Sequence, residues 1–231
     1  MDVAPSRRRE LIRLDSGVIR FDGRDVIDVG TAIVHDDGMA ERAAGRGLSL
    51  LSRAVVSGGR IRLSPAADGV PAMGLMIPTI SIGPRDHVAV TGANGTGKST
   101  LLGAMLAHAA DVPKLVVAQE LDDDDRAEAL ARLHGLSAGD RARVLGAYAR
   151  LNVDPDRLLA GESPSPGELR KLLLCLALPD GPQLIVMDEP TNHLDLSSGT
   201  ALAGLLADYP GALVVVSHDE RFLAGCIPMV R

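Results

Sequence analysis

The stretch VTGANGTGKSTLL, residues 90–102, constrains the fold of this chain more than any other. An apolar run from His87 leads into it, and a glycine-rich turn within it ends in Lys98, Ser99 and Thr100. The turn matches G-x-x-x-x-G-K-[ST] in full, and the apolar residues after it recur at helical spacing. The sequence therefore predicts a strand, a phosphate-binding loop and a helix in direct succession.

The predicted loop has the chemistry of an anion site. Glycines let successive backbone N–H groups point into one concavity, and the helix that begins at about Gly97 adds the positive end of its dipole. We expect Lys98 to reach the β- and γ-phosphates of a nucleotide and the Ser99 hydroxyl to bind Mg²⁺. An ordinary glycine turn does not account for the apolar run before it. The candidate nucleotide-binding residues here are Gly92, Ala93, Asn94, Gly95, Thr96, Gly97, Lys98, Ser99 and Thr100.

Composition limits the class of protein. The 231 residues suffice for one α/β domain with an appendage, and a formal charge of −6 gives no basic footprint for DNA or RNA. Cys175 and Cys226 lie in apolar surroundings, which predicts buried free thiols in a reducing compartment. No run approaches the roughly 20 apolar residues of a membrane helix, and no signal peptide is recognisable. We therefore expect a cytoplasmic protein without membrane or direct DNA contact.

The first part of the chain has a weak pattern. We expect a separate segment at 1–56, with short antiparallel strands and a helix over 39–56. Strands are predicted at 59–65 and 73–84, close to sheet edges because of Pro71 and Pro78. The main domain is expected to span 57–231.

From residue 86 the pattern changes to strands that alternate with helices. Apolar runs predict parallel strands that are covered on both faces, and a mostly helical region is expected over about 122–178. The acids at 122–125 are interpreted as the cap of a helix over 126–134, with a metal site as the alternative. The predicted parallel strands lie at 87–91, 114–118, 184–187 and 213–217.

Two carboxylates follow the apolar run at 184–187. Asp188 and Glu189 stand at its carboxyl end, where ligands of open α/β sheets bind. We expect Asp188 to hold the water shell of Mg²⁺ opposite Ser99 and Glu189 to polarise an attacking water. A strand that simply stops at a polar turn is the alternative, which the upstream phosphate loop disfavours.

Polar residues also follow two other apolar runs. His218 ends the run at 213–217 and Gln119 follows the run at 114–118, so both are expected at the same edge of the sheet. We interpret His218 as a donor to the γ-phosphate, with a capping or surface role as the alternative.

Residues 162–178 predict a helix with a distinct beginning. Ser165 and Glu168 form an S-x-x-E capping box, and Pro166 occupies the first helical position. Leucines then recur at helical spacing. The helix is either a capped core helix or one whose N-terminus binds an anion, and the capping pattern does not decide between the two.

These motifs, in this order, resemble one nucleotide-binding domain of the ABC ATPase superfamily. The string EPTNHLD at 189–195 is similar to that of the ABC-F family, tandem ATPases that act on the ribosome, and SPGELRKLLL is similar to the signature of their second domain. The resemblance covers about 57–231. It implies a P-loop ABC-type α/β fold with a mostly parallel central sheet, an N-terminal antiparallel β subdomain and a short helical subdomain.

The resemblance also implies roles for individual residues. Lys98, Glu189 and His218 become the catalytic residues of the half-site that this chain supplies. Ser99, Gln119 and Asp188 become the metal-side residues. Ser165, Gly167 and Glu168 are implied to complete an ATP site of a second domain. Asp195 is implied to lie in the loop that crosses between the domains.

The sequence departs from the family pattern at two places. Pro166 stands where the family signature has its first glycine, and proline removes one backbone donor. The aromatic residue on which ABC domains commonly stack adenine is missing between Phe21 and the phosphate loop, which leaves Met73 or Leu75 as candidates to pack on the base.

The function predicted from this resemblance is an ATP-driven clamp. Two domains would sandwich two ATP·Mg²⁺, so an isolated chain would be a weak ATPase and would require a second ABC domain, either its own copy or a missing half. The ribosome is the implied target, in translation regulation or antibiotic resistance. The alternatives are a low-turnover nucleotide-binding regulatory domain and a transporter ATPase subunit, and the short interval from Ser99 to Ser165 counts against the latter.

Overall fold

A computed structural model describes residues 8–20, 26–27, 51–65, 74–192 and 194–227. Within these ranges the strands are β1 Ile12–Leu14, β2 Gly17–Arg20, β3 Val26–Ile27, β4 Leu51–Ser57, β5 Arg60–Ser64, β6 Gly74–Ile77, β7 Ile80–Ile82, β8 His87–Gly92, β9 Lys114–Val117, β10 Leu184–Asp188 and β11 Ala212–Val216. The helices are α1 Lys98–Ala107, α2 Asp123–Gly135, α3 Ala138–Arg150, α4 Pro155–Leu159, α5 Pro166–Ala177, α6 Leu196–Ala207 and α7 Glu220–Cys226. A 3₁₀ turn over Leu178–Asp180 follows α5.

Among the described residues, the main sheet has the strand order β3-β2-β6-β4-β5-β8-β11-β10-β9. The half from β5 to β9 is parallel throughout. In the other half β2 pairs antiparallel with β3 and β6, and β4 pairs antiparallel with β5. β1 and β7 form a separate antiparallel pair. The predicted fold class, a mostly parallel sheet with antiparallel strands from the N-terminal part and several helices, is confirmed.

The parallel strands are apolar along their whole length because both faces of this half of the sheet are covered. Val88 and Val90 of β8 pack on the side of α1, in a core that also contains Leu101. Ala89 faces the opposite side, where its core includes Leu169 of α5 and Leu202 of α6. Successive residues of a strand point to opposite faces, so each strand supplies both cores.

The described N-terminal strands are integral to the sheet. Residues 51–57 form β4, whose buried Ser52 and Ala54 alternate with exposed Arg53 and Val55. The predicted helix over 39–56 is therefore wrong at 51–56, because pairing with β5 and β6 stabilises the extended backbone; residues 39–50 lie outside the described ranges. The boundary predicted between 56 and 57 falls inside this strand.

Pro78 follows a strand that lies in the interior of the sheet, not at its edge. β6 lies inside the sheet between β2 and β4, and β5 lies between β4 and β8, so the predicted edge position is wrong for both strands. Pro78 is compatible with the interior position of β6 because the strand ends at Ile77, and proline at 78 removes no ladder hydrogen bond. β7, which follows, does lie in the two-stranded sheet. Pro71 lies outside the described residues.

The acidic run caps α2, as interpreted from the sequence. Asp122 Oδ1 accepts from the Asp125 N–H at 2.9 Å, and Asp125 Oδ2 accepts from the Asp122 N–H at 3.0 Å. The acids in the first turn also favour the positive end of the helix dipole. The helix begins at Asp123, three residues earlier than predicted.

Both cysteines are free and buried, as predicted. Burial raises the pKa of the Cys175 and Cys226 thiols to about 12. The thiolate is the reactive form of cysteine, so both side chains act as small core residues. In the described part of the chain, no helix is long and apolar enough to cross a membrane.

Candidate functional site

A cavity of about 520 Å³ lies at the carboxyl ends of the parallel strands. The ends of β8, β9, β10 and β11 meet at this edge, which is where open α/β sheets bind ligands. The cavity is lined by Asn94, Gly95, Gly97, Lys98, Ser99, Thr100, Gln119, Asp188, Glu189, Asn192 and His218.

The phosphate loop adopts a backbone conformation that requires glycine. Gly92, Gly95 and Gly97 have φ angles of 156°, 78° and 95°. A Cβ on Gly92 would lie 2.8 Å from the Leu63 carbonyl oxygen and 2.8 Å from Thr96 Oγ1. The loop therefore packs tightly at its first glycine and turns in the left-handed region at the other two.

The N-terminus of α1 is available to an anion. Gly97 is the N-cap residue and supplies no side-chain acceptor, and the first turn contains no acidic residue. The first N–H groups of a helix lack partners within the helix, and they carry the positive end of its dipole. The loop thus fits the phosphates of a nucleotide.

Lys98 folds back over this loop. Its Nζ donates to the Gly92 carbonyl at 2.9 Å and to the Ala93 carbonyl at 3.2 Å. Thr96 Oγ1 donates to the same Ala93 carbonyl at 2.8 Å. These bonds hold an ammonium group at the mouth of the anion site.

Asp188 and Glu189 are both buried at the end of β10, with 9% and 5% of their surfaces exposed. Burial and the charge of Glu189 raise the pKa of Asp188, although Lys98 and Arg170 act in the opposite direction. Glu189 has a φ of 47°, and its N–H donates to the Val216 carbonyl at 2.8 Å. A non-glycine residue in this conformation is strained, and such strain clusters at functional sites.

His218 holds the Glu189 carboxylate. Nδ1 of His218 lies 2.9 Å from Oε2 of Glu189, within hydrogen-bond distance of the carboxylate. The imidazole is 70% exposed, whereas the carboxylate is 7% exposed. The imidazole of this pair is therefore accessible to solvent, while the carboxylate is covered.

The predicted metal-side residues also come together. Ser99, Gln119 and Asp188 all line the cavity, and hydroxyl, amide and carboxylate oxygens suit Mg²⁺, which commonly takes one or two carboxylates, waters and substrate phosphates. In the described ranges no group of three or more His, Cys, Asp or Glu could hold a metal. Phosphate oxygens and water would therefore have to complete the coordination.

The signature residues lie elsewhere. Ser165 and Glu168 form the predicted capping box: Oγ of Ser165 accepts from the Glu168 N–H at 3.4 Å, and Glu168 Oε2 accepts from the Ser165 N–H at 2.7 Å. Neither they nor Gly167 line the phosphate cavity. The structure thus separates this segment from the phosphate loop of the same chain.

Asp195 caps α6 and lines a second, adjoining cavity of about 680 Å³. Hydrogen bonds from the Ser198 N–H and from the Ser197 and Ser198 hydroxyls lower the pKa of Asp195 to about 2. Asn192 and His218 line both cavities. Asp195 is therefore near the candidate site without lining it.

The expected adenine contact is corrected. Leu75 is completely buried in β6, where it belongs to the core beside α1. It offers no surface on which a base could stack. Met73, the other candidate, lies outside the described residues.

Three residues of this region were missed at the sequence level. Asn192 lines both cavities, and Arg170 and Lys171 are buried cations of α5. Two adjacent charges within a leucine-rich helix were the available signal for the cations. The signal for Asn192 was its position within EPTNHLD.

Several known proteins are similar to this chain in sequence. The chain is 34% identical over 164 residues to the probable ATP-binding protein YheS of Haemophilus influenzae, covering 64% of this chain and 25% of that protein. It is 33% identical over 189 residues to the tylosin resistance ATP-binding protein TlrC of Streptomyces fradiae, covering 75% and 34%. It is 31% identical over 195 residues to the energy-dependent translational throttle protein EttA of Mycobacterium tuberculosis, covering 63% and 35%.

The fold has solved counterparts. The ATP-binding cassette MJ0796, in a dimeric post-hydrolysis structure with ADP and Pi, matches with a TM-score of 0.50 and 19% identity over 75% of this chain and 88% of that chain. No protein-family model matches the chain. The chain spans about a quarter to a third of the length of the curated relatives described above.

The fold, together with the phosphate loop and the carboxylates at the strand ends, defines an ABC-type ATPase domain. YheS, TlrC and EttA are ATP-binding proteins of the ABC-F family, so the resemblance inferred from the motifs is confirmed. The chain resembles a single nucleotide-binding domain of that family.

Proposed function

We propose that the chain binds and hydrolyses ATP as one half of an ABC-F-like clamp. The composition of one cavity supports this proposal. A single cavity collects the phosphate loop, Gln119, Asp188, Glu189 and His218, whereas the signature segment on α5 lies outside it. Each ATP site then requires the signature of a second domain, which is either a copy of this chain or another half.

The residues of the cavity have distinct roles in this proposal. The loop N–H groups and Lys98 bind the phosphates, and Ser99, Gln119 and Asp188 hold Mg²⁺. When bound, the metal neutralises charge on the phosphates. Burial disfavours the charged form of the Asp188 carboxylate. Binding of the metal ion would offset this cost in stability.

Glu189 polarises the attacking water, and His218 orients Glu189. The carboxylate is held by Nδ1 of His218, and Nε2 is left to face the γ-phosphate.

The names of two relatives support a site of action. TlrC is described as a tylosin resistance protein and EttA as a translational throttle. We place this chain in ribosome-associated translation regulation or antibiotic resistance by ribosome protection, in the cytoplasm, with ATP and Mg²⁺ as its cofactors.

A low-turnover nucleotide-binding domain is the second candidate. Pro166 occupies the first position of α5 and provides no N–H to a phosphate in the facing site. A weakened contact there would retain ATP binding and reduce closure of the two domains.

Sedimentation velocity of Glu189→Gln with and without Mg·ATP tests the proposal. We expect a monomer that becomes a dimer when Mg·ATP is added, because the variant binds ATP without hydrolysing it. Lys98→Ala in the same background is the control and should stay monomeric. Failure to bind ATP would overturn the proposal, whereas ATP binding without a dimer would favour the second candidate or a missing half.

A further inference from the structure

Two consecutive cations of α5 are buried. Arg170 is 2% exposed and Lys171 is 3% exposed, although α5 is otherwise packed among apolar side chains. Burying a charge is costly unless hydrogen bonds compensate for the lost water. The hydrogen bonds of each cation therefore show which groups compensate for its burial.

Arg170 reaches the candidate site through the backbone. Nη1 donates to the Asn192 carbonyl at 2.8 Å, and Nη2 donates to the Gln119 carbonyl. Both acceptor residues line the phosphate cavity. Arg170 thus touches neither the cavity nor a nucleotide directly, but it holds two residues that do line the cavity.

The guanidinium shape matters for this contact. Its planar fork can donate to two separate carbonyls at fixed angles, whereas an ammonium group is a point charge on a flexible stem. Nε is buried and has no hydrogen-bond partner among the described residues.

We propose that Arg170 is a positioning residue that fixes the metal-side residue Gln119, together with Asn192, at the phosphate cavity. This inference rests on the proposed function. Arg170 lies about 7.5 Å along the helix from Ser165. Arg170 therefore links α5, at whose N-terminus Ser165 lies, to the backbone of Gln119.

Lys171 has a different role. Its Nζ donates to the Leu151 carbonyl at 2.8 Å and to Ser198 Oγ at 2.7 Å. These contacts anchor α5 to the end of α3 and the beginning of α6. Neither acceptor lines the phosphate cavity.

The test compares Arg170→Met with Leu174→Ala. Leu174 is fully buried on the same helix, so its truncation loosens α5 without removing a bond to Gln119 or Asn192. Two quantities are measured at a temperature where both variants are folded: steady-state ATP hydrolysis, and the factor by which Mg²⁺ increases the affinity for a fluorescent ATP analogue.

For Arg170→Met we expect kcat/KM to fall by about tenfold or more, as for other residues that support metal ligands. The gain in affinity from Mg²⁺ should fall similarly, while affinity without Mg²⁺ is retained. Leu174→Ala should keep both quantities near wild type. Equal losses in the two variants, or no loss in Arg170→Met, would overturn the inference.

Arg170→Lys decides the matter if Arg170→Met does not fold. Lysine keeps the charge and can reach one carbonyl, so we expect an intermediate Mg²⁺ gain, and a wild-type gain would overturn the inference. A wild-type chain that binds ATP but hydrolyses it no faster than Glu189→Gln would contradict the proposed hydrolysis alone. The Mg²⁺ dependence of binding would still test Arg170.

Discussion

At the scale of single residues, Glu189 combines a functional carboxylate with an unfavourable backbone conformation. Its φ of 47° costs a residue with a Cβ about 1 kcal/mol relative to glycine. We therefore expect the free energy of unfolding of Glu189→Gly to be about 1 kcal/mol higher than that of Glu189→Ala. Both variants lack the bond to His218, so the difference between them reports the backbone conformation alone. Urea denaturation of the two variants measures this difference. Equal stabilities would show that the backbone is not strained.

Asp188 gives a pH-dependent prediction. Its pKa is raised in the folded chain, so the folded state binds a proton more tightly than the unfolded state, whose aspartates titrate at about 3.9. The stabilisation from this protonation is complete below about pH 3.9 and is lost as the pH rises through the raised pKa. Asp188→Asn should therefore be more stable than wild type at neutral pH.

Urea midpoints between pH 7 and pH 4 check this expectation, because the advantage of Asp188→Asn should shrink as the pH falls. Asp195→Asn is the control with the opposite sign. Hydrogen bonds lower the pKa of Asp195 to about 2, so its contribution is present at neutral pH and is lost as the pH falls toward that value. A lower midpoint for Asp188→Asn at pH 7 would contradict the assigned cost of burial.

Sequence reasoning found the residues whose chemistry depends on a local motif. The phosphate loop, the carboxylates after β10 and the capping box of α5 all depend on neighbours within a few positions. Arg170 acts across the fold, since its acceptors Gln119 and Asn192 are far from it in sequence. Leu75 was misassigned because its burial depends on strands that the pattern at 1–56 did not define.

At the scale of elements, the phosphate loop distinguishes close packing from conformational strain. A Cβ at Gly92 would collide with the Leu63 carbonyl, whereas one at Gly95 would meet no atom within 4 Å, although φ is 78° there. We expect Gly92→Ala to cost about 3 kcal/mol or more and Gly95→Ala about 1 kcal/mol. Urea denaturation gives both values, and similar losses in the two variants would refute the predicted difference.

The strands show which elements the sequence predicts well. Buried parallel strands are continuous apolar runs, so β8 to β11 were found to within about a residue at each end. β4, with the sequence LSRAVVS, was mistaken for part of a helix because a short apolar segment suits both periods. Its extended form is decided by pairing with β5 and β6, which is information from distant parts of the chain.

At the scale of the whole molecule, the described N-terminal residues belong to the folded domain. Ile12 is 1% exposed, pairs with Ile82 and bridges to Ala109 after α1. We expect Ile12→Ala to lower the free energy of unfolding by about 3 kcal/mol in a single transition for the whole domain. The neighbouring Arg13→Ala is the control and should change little, since its ion pairs are exposed. Two separate transitions, or an unchanged midpoint for Ile12→Ala, would indicate an independent N-terminal unit.

The separation of Ser165 from the phosphate cavity determines how activity should depend on assembly. In the proposed clamp of two identical chains, each ATP site would take its phosphate loop from one chain and its signature from the other. Lys98→Ala removes the first contribution, and Ser165→Arg blocks the second while removing a helix cap. Either variant alone should therefore be inactive, because each of its two sites contains one defect.

Mixing the two inactive variants should restore hydrolysis. In a mixed dimer one site combines the intact loop of the Ser165→Arg chain with the intact signature of the Lys98→Ala chain, while the other site contains both defects. Half of the dimers in an equal mixture are mixed, so about a quarter of wild-type activity is expected if sites act independently. ATP hydrolysis measured against the mixing ratio should peak near equal amounts. Absence of any gain, with both variants folded, would show that this chain does not complete its own sites and that the signature must come from a different domain.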